Sequence, residues 1–127
     1  MDRARRVLII DDDDSIREVA RMSLELVGGW TVTTAPSGGD GLRQAREERP
    51  DGILLDVMMP DLDGPATLEQ LRGDDLVGET PVIFLTAKVQ ASERTRFGEL
   101  DVAGLIAKPF DPMTLAARVA ELFGWSS

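Results

Sequence analysis

The sequence predicts an α/β fold, a doubly wound five-stranded parallel sheet with helices on both faces. Three observations predict it. Five short apolar runs alternate with stretches of helical periodicity. No linker, repeat or low-complexity segment interrupts them. Four of the runs end on polar residues: Asp11-Asp12, Asp56, Thr86 and Lys108. In an open parallel sheet ligands bind at the carboxyl ends of the strands, so these residues point to one site.

Each element has a local reason. Arg6–Ile10 reads as the first strand. Asp14–Val27 reads as a helix, with Ile16, Val19, Ala20, Leu24 and Val27 on one stripe and Gly28-Gly29 as its stop. Trp30–Thr34 is a strand of β-branched residues. Ser37 caps a helix over Gly38–Glu48, with Leu42 and Ala45 inward, and Pro50-Asp51 closes it. Ile53–Asp56 is a buried strand. Pro60–Gly64 is rich in turn residues, and Asp61 and Asp63 are read as turn formers rather than ligands. Pro65–Arg72 is a short helix with Leu68 and Leu71 inward. Gly73–Thr80 is a polar connection, and Pro81–Leu85 is the most apolar strand. A helix over Gln90–Leu100 is interrupted by Gly98, and Val102–Ala107 is the last strand. The last helix spans Asp111–Phe123, with Asp111 as cap, Pro112 at its first position, and Leu115, Val119 and Leu122 inward. Trp30, Phe84, Phe97 and Phe123 are assigned to the core.

Five such βα units give a flavodoxin-like three-layer sandwich, for which strand order 2-1-3-4-5 is one of two common choices. That order makes the first and third strands neighbours. Asp11, Asp12 and Asp56 then share one edge, with Thr86 and Lys108 facing them.

Composition narrows the function. The chain of 127 residues is expected to be one domain with no room for a second, output domain. A formal net charge of −9 argues against nucleic-acid binding, because phosphate backbones demand cations. No apolar run reaches membrane-spanning length, so no membrane insertion is expected. The absence of cysteine excludes disulfides and fits a cytoplasmic location. The absence of histidine excludes a Ser-His-Asp triad, a His-ligated metal and a phosphohistidine on this chain.

The clustered residue types suggest Mg²⁺ and phosphoryl chemistry. Mg²⁺ prefers hard oxygen ligands and keeps several waters. Crowded carboxylates repel, and a divalent cation relieves that repulsion. Lys108 supplies a compact positive charge, and Thr86 supplies a hydroxyl donor. Asp13 and Asp14 are explained as helix N-terminal acids. The Arg3, Arg5 and Arg6 cluster is read as a frayed terminus rather than a docking patch.

The motifs Val7-Leu-Ile-Ile-Asp-Asp-Asp-Asp-Ser-Ile-Arg17, Leu55-Asp-Val-Met-Met-Pro-Asp-Leu-Asp-Gly64, Pro81-Val-Ile-Phe-Leu-Thr-Ala87 and Ala107-Lys-Pro-Phe-Asp111 appear in order, each after a predicted strand. Together they make the whole chain resemble the receiver domain of bacterial two-component response regulators. The resemblance implies that Asp56 is the phospho-acceptor and that Asp11 and Asp12 bind Mg²⁺ beside it. It implies that the Met58 carbonyl completes the protein ligands, and that Thr86 and Lys108 meet the phosphoryl group. It also implies a cis Lys108-Pro109 bond. The phosphodonor would be a histidine on a sensor histidine kinase or a histidine phosphotransfer protein, and the output a changed affinity for a downstream partner.

Two departures stand out. The position three residues before the site lysine, often Tyr or Phe in this family, is Leu105, which puts the usual aromatic switch in doubt. The chain is read as either a stand-alone receiver or one cut from a larger regulator; a stand-alone receiver would bind its partner through the helix over Gln90–Leu100, the last strand and the last helix, with Arg94, Arg96 and Leu105 as candidates. Met58 and Lys88 occupy positions that tune hydrolysis in the family, and Met58 is expected to shield the phosphoryl group from water. The rival readings are a phosphate-independent pseudo-receiver and an aspartyl-phosphate hydrolase. The hydrolase would need an acid/base aspartate where Met58 stands, so the chain is not expected to be an enzyme.

Overall fold

The computed structural model describes residues 4–87 and 100–125. Over them the chain runs β1 (Arg6–Ile10), α1 (Asp14–Leu26), β2 (Thr31–Ala35), α2 (Gly38–Glu48), β3 (Gly52–Asp56), α3 (Gly64–Arg72), β4 (Val82–Thr86), β5 (Gly104–Ala107) and α4 (Leu115–Phe123). The strands form one sheet in the order β2-β1-β3-β4-β5, and every pairing is parallel. The helix expected at Gln90–Leu100, apart from Leu100, lies outside the described residues, as do Arg3, Lys88, Arg94, Arg96 and Phe97.

Strand alternation builds the three layers. Successive side chains on a strand point to opposite faces. Leu8, Ile10, Ile53, Leu55, Val82 and Phe84 therefore enter one core, with Ala45 of α2 and Leu68 and Leu71 of α3. Val7, Ile9, Leu54, Ile83, Leu85 and Ile106 enter the other, with Ala20 and Leu24 of α1 and Leu115 and Val119 of α4. Because both faces are covered, the inner strands read as unbroken apolar runs rather than alternating ones.

The helix starts follow capping chemistry. The side chains of Asp13, Ser37 and Asp63 accept hydrogen bonds from the backbone N–H of Ile16, Asp40 and Ala66 at 3.1, 3.2 and 2.9 Å. The last helix differs from expectation. Its regular part begins at Leu115 rather than near Asp111, and residues 112–114 form a turn. Asp111 still organises this turn, its carboxylate accepting from Met113 N–H at 2.9 Å. The Pro112 carbonyl is engaged by the Ser23 hydroxyl of α1, which holds the turn against that helix.

The buried stripe of α1 is narrower than its periodicity suggests. Ala20, Ser23 and Leu24 are buried, whereas Val19 is 42% and Val27 50% exposed. Val27 caps the helix end, and Val19 lies at the stripe's edge. Strands β2 and β4 each begin one residue later than read from the sequence. Trp30 is released from β2 and packs edge-on against Trp125, ring centroids 5.2 Å apart.

Candidate functional site

Parallel register places the polar strand ends side by side. Ile10 pairs with Leu55, so Asp11 and Asp56 leave adjacent strands at the same level. Thr86 pairs with Ala107, which puts Lys108 one step beyond it. Main-chain bonds fix these exits: Asp11 N–H to Ala35 O at 3.1 Å, Val57 N–H to Leu85 O at 3.1 Å, and Lys108 N–H to Thr86 O at 2.8 Å. Gly64 N–H bonds to Val57 O at 2.9 Å and folds the following loop back. Only glycine fits there, because a Cβ would lie 2.7 Å from Asp56 O and from Val57 Cα.

Asp11 is fully buried, Asp56 is 3% exposed, and Asp12 is exposed at the rim. Each of the three offers a carboxylate oxygen, and these atoms lie within 4.8 Å of one another. Lys108 Nζ sits between the two buried acids, 2.8 Å from Asp11 Oδ2 and 3.0 Å from Asp56 Oδ1. Met58 N–H also donates to Asp56 Oδ1, at 3.3 Å. The other Asp11 oxygen accepts from Asp13 N–H at 2.9 Å. Lys108-Pro109 is a cis peptide.

Electrostatics follow from this crowding. Burial pushes the Asp56 carboxyl up from 3.8 to about 6; Lys108 pulls it down, and Asp11 and Asp12 push it up further. Burial opposes the charge on Lys108, but its bonds to Asp11 and Asp56 prevail and hold the ammonium above its ordinary value. Three carboxylates thus face one ammonium, which fits a site for a hard divalent cation.

The site opens into a cavity of about 570 Å³, lined by the acids and Lys108 and by an apolar wall that includes Ile16, Val19, Met58, Pro109 and Phe110. Thr86 is buried at the same edge but does not line the cavity; Ala87 does. Leu105, half-buried on β5 and paired with Phe84, packs into the core beneath α2 and α3. Asp61 and Asp63 stay out of the acidic cluster, and Asp63 caps α3.

The sequence reading missed two contributors. Arg17 donates to the Asp11 carbonyl at 2.6 Å and pairs with Asp14; the Asp14/Arg17 spacing of three was the available signal. The apolar wall was missed because Ile16 and Val19 carry the same periodicity as core positions.

The model of the family described as "Response regulator receiver domain" matches residues 7–120. The chain is 41% identical over 119 residues to the response regulator MprA of Mycobacterium ulcerans, covering 92% of this chain and 49% of that one. It is 38% identical over 115 residues to the alkaline phosphatase synthesis transcriptional regulatory protein PhoP of Bacillus subtilis, covering 91% and 47%. The chain spans about half the length of these relatives. Among solved structures it is similar to the chemotaxis protein CheY4 of Vibrio cholerae, with a TM-score of 0.87, 29% identity, and coverage of 94% of this chain and 99% of that one. A sheet of order 2-1-3-4-5, an acid cluster at its carboxyl edge and these matches agree, and the chain belongs to the receiver domains of two-component response regulators.

Proposed function

We propose that Asp56 accepts a phosphoryl group from a phosphohistidine on a sensor histidine kinase or a histidine phosphotransfer protein. The observation that carries this is a buried carboxylate 3.0 Å from a lysine ammonium, within an acidic cluster at the mouth of a cavity. The 127 residues hold no histidine, so the donor nitrogen lies outside them. An Asp56 oxygen forms the new bond to phosphorus as the P–N bond breaks. The departing electron pair goes to the imidazole nitrogen, which takes a proton from solvent. Positioning and charge neutralisation drive such a transfer, because a carboxylate is a weak nucleophile.

Asp11, Asp12, Asp56 and the Met58 carbonyl would hold Mg²⁺. When bound, the ion would neutralise the carboxylates and the phosphoryl oxygens. Lys108 gives up part of its contact with Asp56 and meets the incoming phosphoryl oxygens. Thr86 reaches that group by turning its hydroxyl toward Asp56. Met58, 75% exposed at the cavity edge, screens the acyl phosphate from water. The output is a change in affinity for a downstream protein through β5 and α4, where Leu105 stands in place of an aromatic ring. Arg94 and Arg96 belong to this proposal as residues outside the described set.

The described fold is one receiver domain, its proposed location is the cytoplasm, and its proposed chemistry is confined to its own phosphorylation and hydrolysis. Intact-mass measurement after incubation with acetyl phosphate, with and without Mg²⁺, tests the reading. One phosphoryl group should be gained only with Mg²⁺ and not by Asp56→Asn. No gain by a folded wild type that still binds Mg²⁺ would favour the phosphate-independent alternative.

A further inference from the structure

We propose that Arg17 is a positioning residue that aims Asp12 at the metal site. The proposal rests on the Mg²⁺ reading above. Two of the three acids are held directly. Asp11 is fully buried, with its N–H on Ala35 O, one carboxylate oxygen on Asp13 N–H and the other against Lys108. Asp56 ends an inner strand, with Lys108 and Met58 N–H on its carboxylate. Asp12 is different, because it is exposed and its direction follows the Asp11–Asp12 peptide from which it hangs.

Arg17 holds that peptide. Its Nη1 donates to the Asp11 carbonyl at 2.6 Å, while Nη2 pairs with Asp14. The Arg17 side chain is only 16% exposed, and its backbone N–H bonds to Asp13 O at 3.0 Å. The guanidinium therefore spans the β1–α1 loop from its first residue to the first turn of the helix. A planar fork fixes the direction of both partners, which a lysine ammonium does not. With the carbonyl fixed, the peptide plane is fixed, and so is the point from which the Asp12 side chain departs.

Charge makes the proposal testable by sign. A guanidinium near a dication repels it, so Coulomb's law alone predicts tighter Mg²⁺ binding when Arg17 is neutralised. Lost positioning predicts weaker binding. The experiment is calorimetric titration of Mg²⁺ into the whole chain, for the wild type, Arg17→Met, Arg17→Lys, Asp12→Asn and the double variant Arg17→Met/Asp12→Asn. Thermal midpoints in EDTA show which variants are folded, and Arg17→Gln replaces Arg17→Met if the latter is not. Arg17→Met should weaken binding about tenfold, the low end of the effect of losing a partner that orients a metal ligand. Arg17→Lys should fall between. In the Asp12→Asn background Arg17→Met should weaken binding no further. Unchanged or tighter binding by a folded Arg17→Met, or an equal loss in both backgrounds, overturns the proposal. A wild type that binds no Mg²⁺ overturns the metal reading and this inference with it, whereas a wild type that binds beside an indifferent Arg17→Met overturns this inference alone.

Discussion

Replacing Asp56 by asparagine should make the metal-free protein more stable at neutral pH. The carboxyl titrates near 6 in the fold against 3.8 in the unfolded chain, so its ionised form is disfavoured by folding. A shift of about two units corresponds to about 3 kcal/mol, at about 1.4 kcal/mol per unit. Solvent screening takes little from this figure, because the side chain is only 5% exposed. Asparagine keeps the shape and the acceptor for Met58 N–H and Lys108 without the charge, and Lys108 keeps Asp11 at 2.8 Å. For a chain of this size the gain corresponds to roughly 10 °C in Tm. The sign with pH follows from linkage. Between about 4 and 6 the folded wild type binds more protons than the unfolded chain, so Asp56 lowers stability as pH rises through that window. The gap between variant and wild type should be absent below about pH 4, open between 4 and 6, and be full at pH 7.5. Urea denaturation in EDTA across pH 4–8 measures it. A variant no more stable than the wild type at pH 7.5, or a gap that persists undiminished at pH 4, would refute the reasoning.

Other perturbations have equally definite outcomes. Lys108→Met leaves Asp11 and Asp56 without the cation that touches both; urea denaturation at pH 7.5 in EDTA should show a loss of about 3–5 kcal/mol. Gly64→Ala drives a methyl into Asp56 O and Val57 Cα, so it should cost about 1–3 kcal/mol in the same measurement and lower the phosphorylated fraction by intact mass. Met58→Asn opens the edge of the cavity to water and should shorten the lifetime of the phosphorylated form; an unchanged or longer lifetime would sink the shielding role. Millimolar Mg²⁺ should raise the Tm of the wild type and narrow its gap from Asp56→Asn, because ligand binding to the folded state alone stabilises it.

The sheet was legible because both of its faces are buried. Runs such as Ile53–Leu55 and Val82–Leu85 have no polar alternation, which marks central parallel strands, and polar residues at their ends mark the ligand edge. Asp11, Asp12, Asp56 and Lys108 were found this way, and the structure brings them together. Thr86 arrives at the same edge, buried and outside the cavity lining, and sequence cannot read which strand-end side chains line a cavity. Helix boundaries were less legible where tertiary bonds compete with local ones. Asp111 has the chemistry of a cap, yet the Ser23 hydroxyl claims the Pro112 carbonyl and the regular helix waits until Leu115. Val19 shares the apolar stripe of α1 but is 42% exposed and lines the cavity rather than the core.

Lys108 connects stability to signalling. In the metal-free fold one ammonium serves two buried carboxylates, and burial still leaves Asp56 well above its ordinary pKa. The site therefore carries an electrostatic cost that a cation or a neutral Asp56 relieves. On the proposed reading, phosphorylation of Asp56 to an acyl phosphate would remove the carboxylate charge at that position and place new charge on the phosphoryl oxygens, within reach of a lysine that has lost one partner. Lys108 leads through Pro109 to the 112–114 turn, which is held to α1 through Ser23 and Pro112. On the sheet side Lys108 is tied to the β4–β5 pair, its N–H on Thr86 O at 2.8 Å, and that pair carries Leu105 and Phe84. A leucine there can repack without a ring to flip, so the response of this receiver should be read in β4–β5 packing rather than in a single rotating side chain.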